Sequence, residues 1–270
     1  MAINSIYNYI ETYLGQVQSE GKYSFTSDEL QKQFKIAPNA VKKGLQRLMV
    51  KGKIARLRNE FYLIVPPEYS SKGMLPTLLY INDLMKFLKR DYYIGLLSAA
   101  MLNGAAHQQP QDFYIITKRP FLRDIKNKKA VIRFAIKKSW QKADIIEKKT
   151  DAGFVKVGSP ELTALDIIFF QESIGGLNRV VTVLDELAEV MDADKLAQTA
   201  TRYGQIASVQ RLGYLLENVL SYKDKTEPLY NWLKEQTFYP VLLKAGKKKK
   251  NMQVNNRWKV IKNFSPQSDL

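Results

Sequence analysis

The sequence contains no cysteine and a single histidine, His107. The first absence excludes disulfides, thiolate nucleophiles, iron–sulfur clusters and Cys-ligated zinc, and is compatible with a reducing compartment. The second removes the usual His-based metal sites and leaves any Ser-His-Asp scheme one candidate base. No metal and no cofactor is expected, and neither G-x-x-x-x-G-K-[ST] nor G-x-G-x-x-G occurs. There is no apolar run of ~18 residues, so no transmembrane helix is expected. The first residues mix Asn4, Asn8 and Glu11 with apolar ones and lack a basic region, unlike a signal peptide. A cytoplasmic protein is the expectation. Acid is scarce: 26 Asp+Glu face 42 Lys+Arg, for a net charge of +16 and a pI near 9.7. Such an excess points to a polyanion or an acidic protein surface as partner. What is plentiful is apolar surface, 45% of 270 residues, which excludes wholesale disorder.

Apolar residues at Ile3, Ile6, Tyr7, Ile10, Tyr13, Leu14 and Val17 recur with helical spacing, and Gly21 ends that helix. After the extended Tyr23–Phe25, Thr26 and Glu29 form a capping box for a second helix running to about Phe34. Pro38 suits the first turn of a third, whose stripe is Val41, Leu45, Leu48 and Met49 and whose stop is Gly52. Ile54–Arg58 and Phe61–Val65 read as a hairpin. This order is that of a winged helix-turn-helix over residues 1–66, followed by a linker at 67–75. Residues 76–270 form the rest: an α+β stretch at 76–158, a mainly helical one at 159–236 and a basic segment at 237–270. Within 76–158 the pattern predicts helices at about 76–89 and 92–103. Strands are expected at Phe113–Thr117, Val131–Ile136, Ile145–Lys148 and Phe154–Val157. Helices are then expected at Pro160–Gln171, Leu177–Met191, Lys195–Tyr203, Val209–Leu220 and Pro228–Glu235. The fold class is α+β: a winged helix, a mixed α/β middle and a helical C-terminal region.

The segment 38–58 holds seven basic residues and no acid. Asn39, Lys42, Lys43, Gln46 and Arg47 lie off the apolar stripe of the third helix, where a recognition helix meets base edges. Arg56 and Arg58 on the hairpin suit phosphates or a minor groove. Double-stranded DNA is therefore one expected partner; a protein-binding role for the same unit is the alternative. A second basic stretch, Lys118, Arg119, Arg123, Lys126, Lys128, Lys129 and Arg133, suits an acidic protein or RNA, or else guards a sheet edge. The Lys247–Lys250 run reads as a tail near nucleic acid or a solubilising turn. Asp112 and Glu147-Lys148-Lys149 offer the carboxylates and lysine of a metal-dependent nuclease, in a lysine-rich chain where such triplets arise by chance. His107 reads as an exposed loop residue, and Trp140, Trp232 and Trp258 as packing anchors.

Small residues follow Tyr93: Gly95, Ser98, Ala99 and Ala100. Asn103-Gly104 comes next, then the strand Phe113–Thr117, then Ser159-Pro160-Glu161-Leu162-Thr163-Ala164-Leu165-Asp166. Taken with the N-terminal unit, these stretches resemble the AbiEi family of abortive-infection antitoxins, with Y-x-G-L-x-S-A-A, a strand, and S-P-x-x-T-x-x-D in order. Where that family often has His before the Gly, this chain has Asn103, with His107 three residues beyond Gly104. The resemblance implies a non-enzymatic antitoxin of a type IV toxin–antitoxin system in phage defence. Its winged helix would repress its own operon as a transcriptional repressor at the operator. Its C-terminal part would counteract a nucleotidyltransferase-like toxin, directly or functionally. A nuclease with a winged-helix targeting module and a plain transcription regulator are the alternatives.

Overall fold

The computed structural model describes residues 3–35, 37–71, 73–105, 110–127, 130–246 and 253–267. The N-terminal elements are α1 (Ile3–Ser19), β1 (Ser24–Thr26), α2 (Ser27–Phe34), α3 (Pro38–Val50), β2 (Ile54–Arg58) and β3 (Phe61–Ile64). The strands form an antiparallel sheet of order β1-β3-β2. The capping box is present: the Glu29 amide donates to Thr26 Oγ1 at 3.2 Å and the Thr26 amide to Glu29 Oε2 at 2.7 Å. Pro38 opens α3 as its missing N–H allows. Val41, Leu45 and Leu48 of α3 are buried with Ile10, Leu14 and Val17 of α1 and Leu30 of α2. Gly44 permits the close approach of α1, since a Cβ there would stand 2.6 Å from Ile10 Cδ1.

The second half of the stretch expected as a linker is packed. A 3₁₀ turn at Pro67–Tyr69 opens it, and Met74 and Leu75 are buried. They join an apolar cluster that also contains Leu57, Phe61, Leu63 and Val65 from the hairpin and Tyr80, Leu84 and Ile94 beyond it. Phe61 meets the ring of Phe87 at 5.2 Å between centroids, and Ser24 Oγ donates to Asp83 at 2.8 Å.

Next come α4 (Ile81–Phe87), β4 (Tyr92–Ile94), α5 (Leu96–Leu102), β5 (Asp112–Thr117), β6 (Ile125–Asn127), β7 (Ala130–Ile136), β8 (Ile145–Thr150) and β9 (Gly153–Gly158). Their strands make a six-stranded mixed sheet of order β6-β7-β5-β4-β9-β8. β4 is antiparallel to β5 and parallel to β9, and β5 is parallel to β7. This corrects the expected helix at 92–103: Tyr92–Ile94 is a central strand, and only Leu96–Leu102 is helical. A short, continuous apolar run is compatible with either state, and here burial on both faces selects the strand. The helix expected at 76–89 is shortened to α4 behind a 3₁₀ turn at Thr77–Leu79.

One face of the sheet turns Tyr93, Tyr114 and Ile116 towards the helices; the other turns Ile94, Ile115, Ile132 and Phe134 towards α4 and the hairpin. The helical layer is α6 (Pro160–Phe169), α7 (Leu177–Val190), α8 (Ala193–Tyr203), α9 (Ile206–Asn218) and α10 (Glu227–Leu233). A last sheet of β10 (Val241–Leu242), β11 (Val254–Asn255) and β12 (Val260–Ile261) straps the chain onto α9. Trp258 anchors it, fully buried, with ring carbons 2.1–2.4 Å from where a Cβ on Gly213 would stand.

Candidate nucleic-acid interface and motif cluster

The α3 residues Asn39, Lys42, Lys43, Gln46 and Arg47 are all exposed, as is Arg56 on β2. The helix buries its apolar stripe inward, so its polar positions can only face outward. Among the described residues none of these cations, nor Arg58, takes part in an ion pair. A groove of about 650 Å³ runs between α3 and the hairpin, with Pro38, Lys42, Gln46, Arg56, Asn59 and Tyr62 on its walls. Arg58 differs from its neighbours: it is half-buried, and its Nη1 is buried without a hydrogen-bond partner. Lys53, in the same basic run, bonds Glu11 of α1.

The second basic stretch does not stand as one uniform patch. Arg133 is held at 2.6 Å by Asp112 and at 3.2 Å by Asp124. Lys118 pairs with Asp91 at 3.1 Å and lies 4.8 Å from the centre of the Trp140 ring. Arg119, Arg123 and Lys126 are exposed and without an ion pair among the described residues. Lys128 and Lys129 lie outside the described residues, as do His107 and the Lys247–Lys250 run.

The carboxylates weighed for nuclease chemistry are apart. Asp112 begins β5 and is taken up by Arg133, while Glu147 sits on β8, three strands away in the sheet order. Three inter-strand steps are roughly 14 Å, too far for one shared pair of metal ions ~4 Å apart. Among the described residues no group of three or more His, Asp or Glu is placed to hold a metal ion.

The motif residues, by contrast, converge. Tyr93 on β4 donates to Asp166 Oδ2 at 2.6 Å. Tyr203 on α8 donates to Asp166 Oδ1 at 2.9 Å, and Lys137, just after β7, to the same oxygen at 2.8 Å. Asp166 is fully buried and the Lys137 side chain is 12% exposed. The Lys137 ammonium also lies 3.9 Å from the centre of the Tyr203 ring. Burial first, and the Asp166 carboxylate second, push the phenols of Tyr93 and Tyr203 well above the usual range. Both are therefore neutral donors.

The other motif positions serve the same junction. Ser98 Oγ accepts the Tyr114 amide at 2.9 Å, and Asn103 Nδ2 donates to the Gly158 carbonyl at 2.9 Å. Ser159 caps α6 by accepting the Leu162 amide, and Thr163 donates back to the Gly158 carbonyl. A Cβ on Gly95 would stand 2.5 Å from Ile116, so glycine is what lets the β4–α5 corner rest on β5. Leu96, the first residue of α5, is at φ +52°, a strained value for a bulky side chain that the surrounding packing enforces. The cluster thus locks β4, β7, α6 and α8 together. Sequence reasoning found Tyr93 and Asp166 through the motifs and missed Lys137 and Tyr203. The strand alternation Arg133, Ala135, Lys137, opposite Ile132, Phe134 and Ile136, was the available signal for Lys137.

No curated protein matches the chain. The crystal structure of the RV2827C protein from Mycobacterium tuberculosis is similar in fold. Its TM-score is 0.63 over 94% of this chain and 91% of that one, at 15% identity. Residues 93–218, which hold both motif stretches and the whole of the Tyr93–Lys137–Asp166–Tyr203 cluster, match the AbiEi antitoxin C-terminal domain, and this part of the chain belongs to that family.

Proposed function

We propose that the chain is an antitoxin and the repressor of its own operon. The family of residues 93–218 supports the antitoxin role, and with it a toxin as partner, for which a nucleotidyltransferase-like protein is our reading. The N-terminal unit is read as a winged helix-turn-helix with α3 as the recognition helix. One observation carries the DNA-binding half: a row of exposed, unpaired cations and amides on α3, set beside a groove that Arg56 closes from the hairpin. Lys42, Lys43, Arg47 and Arg56 would neutralise phosphates and supply most of the affinity. Asn39 and Gln46 would choose adenine edges. Neither role needs a cofactor or a chemical step, so the protein acts by occupancy, in the cytoplasm. No helix among the described residues is long and apolar enough to cross a membrane.

Two measurements test this. In anisotropy titrations with duplex DNA from upstream of the reading frame, Lys43→Ala should lower the slope of log K against log salt by about 0.9. An unchanged slope removes Lys43 from the interface. In co-expression with a nucleotidyltransferase-like toxin, the full chain carrying Lys42→Ala, Lys43→Ala and Arg47→Ala should still relieve growth arrest. Loss of rescue at normal protein levels would mean that DNA binding and neutralisation are not separate tasks.

A further inference from the structure

The loop between β5 and β6 serves neither the α3 interface nor the motif cluster. It is nonetheless built to present its tip. The Arg90 guanidinium donates to the Arg119 carbonyl at 3.3 Å, Leu122 packs against the apolar cluster beneath, and Asp124 accepts the Phe134 amide at 3.2 Å. Between these anchors Phe121 stands 69% exposed. Arg119 and Arg123 flank it at two residues on either side, both exposed and without an ion pair among the described residues. Lys138 is exposed close by, since the Lys137 amide bonds the Thr117 carbonyl at the root of the loop. Asp91, just before β4, is held by Lys118 at 3.1 Å.

We propose that this loop binds single-stranded nucleic acid, with the Phe121 ring stacked on an unpaired base and Arg119 and Arg123 on the flanking phosphates. An exposed aromatic face between unpaired arginines fits a base whose own π-face is free. In a duplex that face is covered by the neighbouring base pairs. An acidic protein would satisfy the arginines and leave the phenyl ring without a partner of its own chemistry. The site lies on the β5–β6 loop, outside α3, and stands whether or not α3 reads duplex DNA.

The test uses the full chain in the Lys42→Ala/Lys43→Ala/Arg47→Ala background, which silences the α3 surface, and a fluorescent 12-nucleotide oligouridylate as probe. Phe121→Ala should weaken binding about tenfold with little change in salt slope, and Phe121→Trp should restore it. Arg119→Gln with Arg123→Gln should lower the slope by about 1.4. Phe121 is exposed in a loop, so its replacement leaves the fold intact; a matching circular dichroism spectrum and melting temperature check this. Three results would overturn the proposal. They are no binding of the oligonucleotide, equal affinity for Phe121→Ala, and displacement of the probe by polyglutamate as effectively as by unlabelled oligouridylate.

Discussion

Asp166→Asn isolates the charge at the centre of the motif cluster. The amide keeps the shape, and its oxygen still accepts from Lys137 and Tyr203, the two donors that meet at Oδ1. The amide nitrogen then faces Tyr93, whose hydroxyl accepts as readily as it donates. What is lost is the counter-ion of an ammonium whose side chain is 12% exposed. Leaving one member of a buried pair uncompensated costs roughly 3–5 kcal/mol; the rim exposure of Lys137 places this case at about 3 kcal/mol. For a unit of this size that lowers Tm by roughly 6–12 °C. Adding Lys137→Met removes the orphaned charge, and the double variant should recover to within about 1 kcal/mol of the parent, because apolar replacement of a buried pair is nearly neutral. Calorimetry and urea titration at neutral pH read the loss and its recovery. A single-variant loss under about 1 kcal/mol, or a double variant no better than the single, would refute the cluster as an electrostatic lock.

Other outcomes follow from the same geometry. Leu45→Ala empties a position 2% exposed in the N-terminal core and should cost about 2–5 kcal/mol in urea unfolding; a loss below 1 kcal/mol would place α3 outside that core. Gly213→Ala drives a methyl into the rigid Trp258 ring, at about 1–3 kcal/mol. Limited proteolysis should then cut the strap at residues 237–267 first, and an unchanged digestion pattern would count against the anchor. Alkali should unfold the protein early. Burial pushes Tyr80 up to about 12, against a weaker opposing bond from Thr77, and raises Tyr93 and Tyr203 well above the ordinary phenol range. These groups favour the fold below pH 10, where unfolded tyrosine is neutral, and that preference is lost as pH rises through their folded values. Absorbance at 295 nm should show the buried phenols ionising together with loss of near-UV dichroism. Smooth titration of all 15 tyrosines near pH 10 in a folded protein would contradict their burial.

Local signals were legible where the physics is local. Thr26 and Glu29 cap α2, Pro38 opens α3, and α6 begins at Pro160, as the sequence predicts. The misreading of Tyr92–Ile94 arose because three apolar residues carry no period, and the helical Leu96–Leu102 directly after them lent them its own. β6 escaped because Ile125-Lys126-Asn127 holds a single apolar residue and so carries no period. The ion pairs were illegible for a different reason. Arg133 is opposite Tyr114 in the β5–β7 register, so Asp112 is its diagonal neighbour, a relation fixed by strand pairing rather than by sequence distance. Lys137 and Asp166 stand 29 residues apart and meet only in the folded chain, and no spacing rule reaches across that interval.

The shared apolar cluster bears on how the two tasks are to be separated. A boundary at residue 66 follows from composition, yet Leu57, Phe61, Leu63 and Val65 on one side are buried with Met74, Leu75, Tyr80 and Leu84 on the other. Cutting there would bare both surfaces to water, at about 25 cal/mol for each Å² of apolar area, and would break the Ser24–Asp83 bond. A fragment of residues 67–270 that failed to neutralise a toxin would therefore report a damaged core as readily as a missing function. Point changes on exposed cations of α3 remove charge and leave that core untouched. They, rather than truncation, decide whether the N-terminal unit takes part in neutralisation.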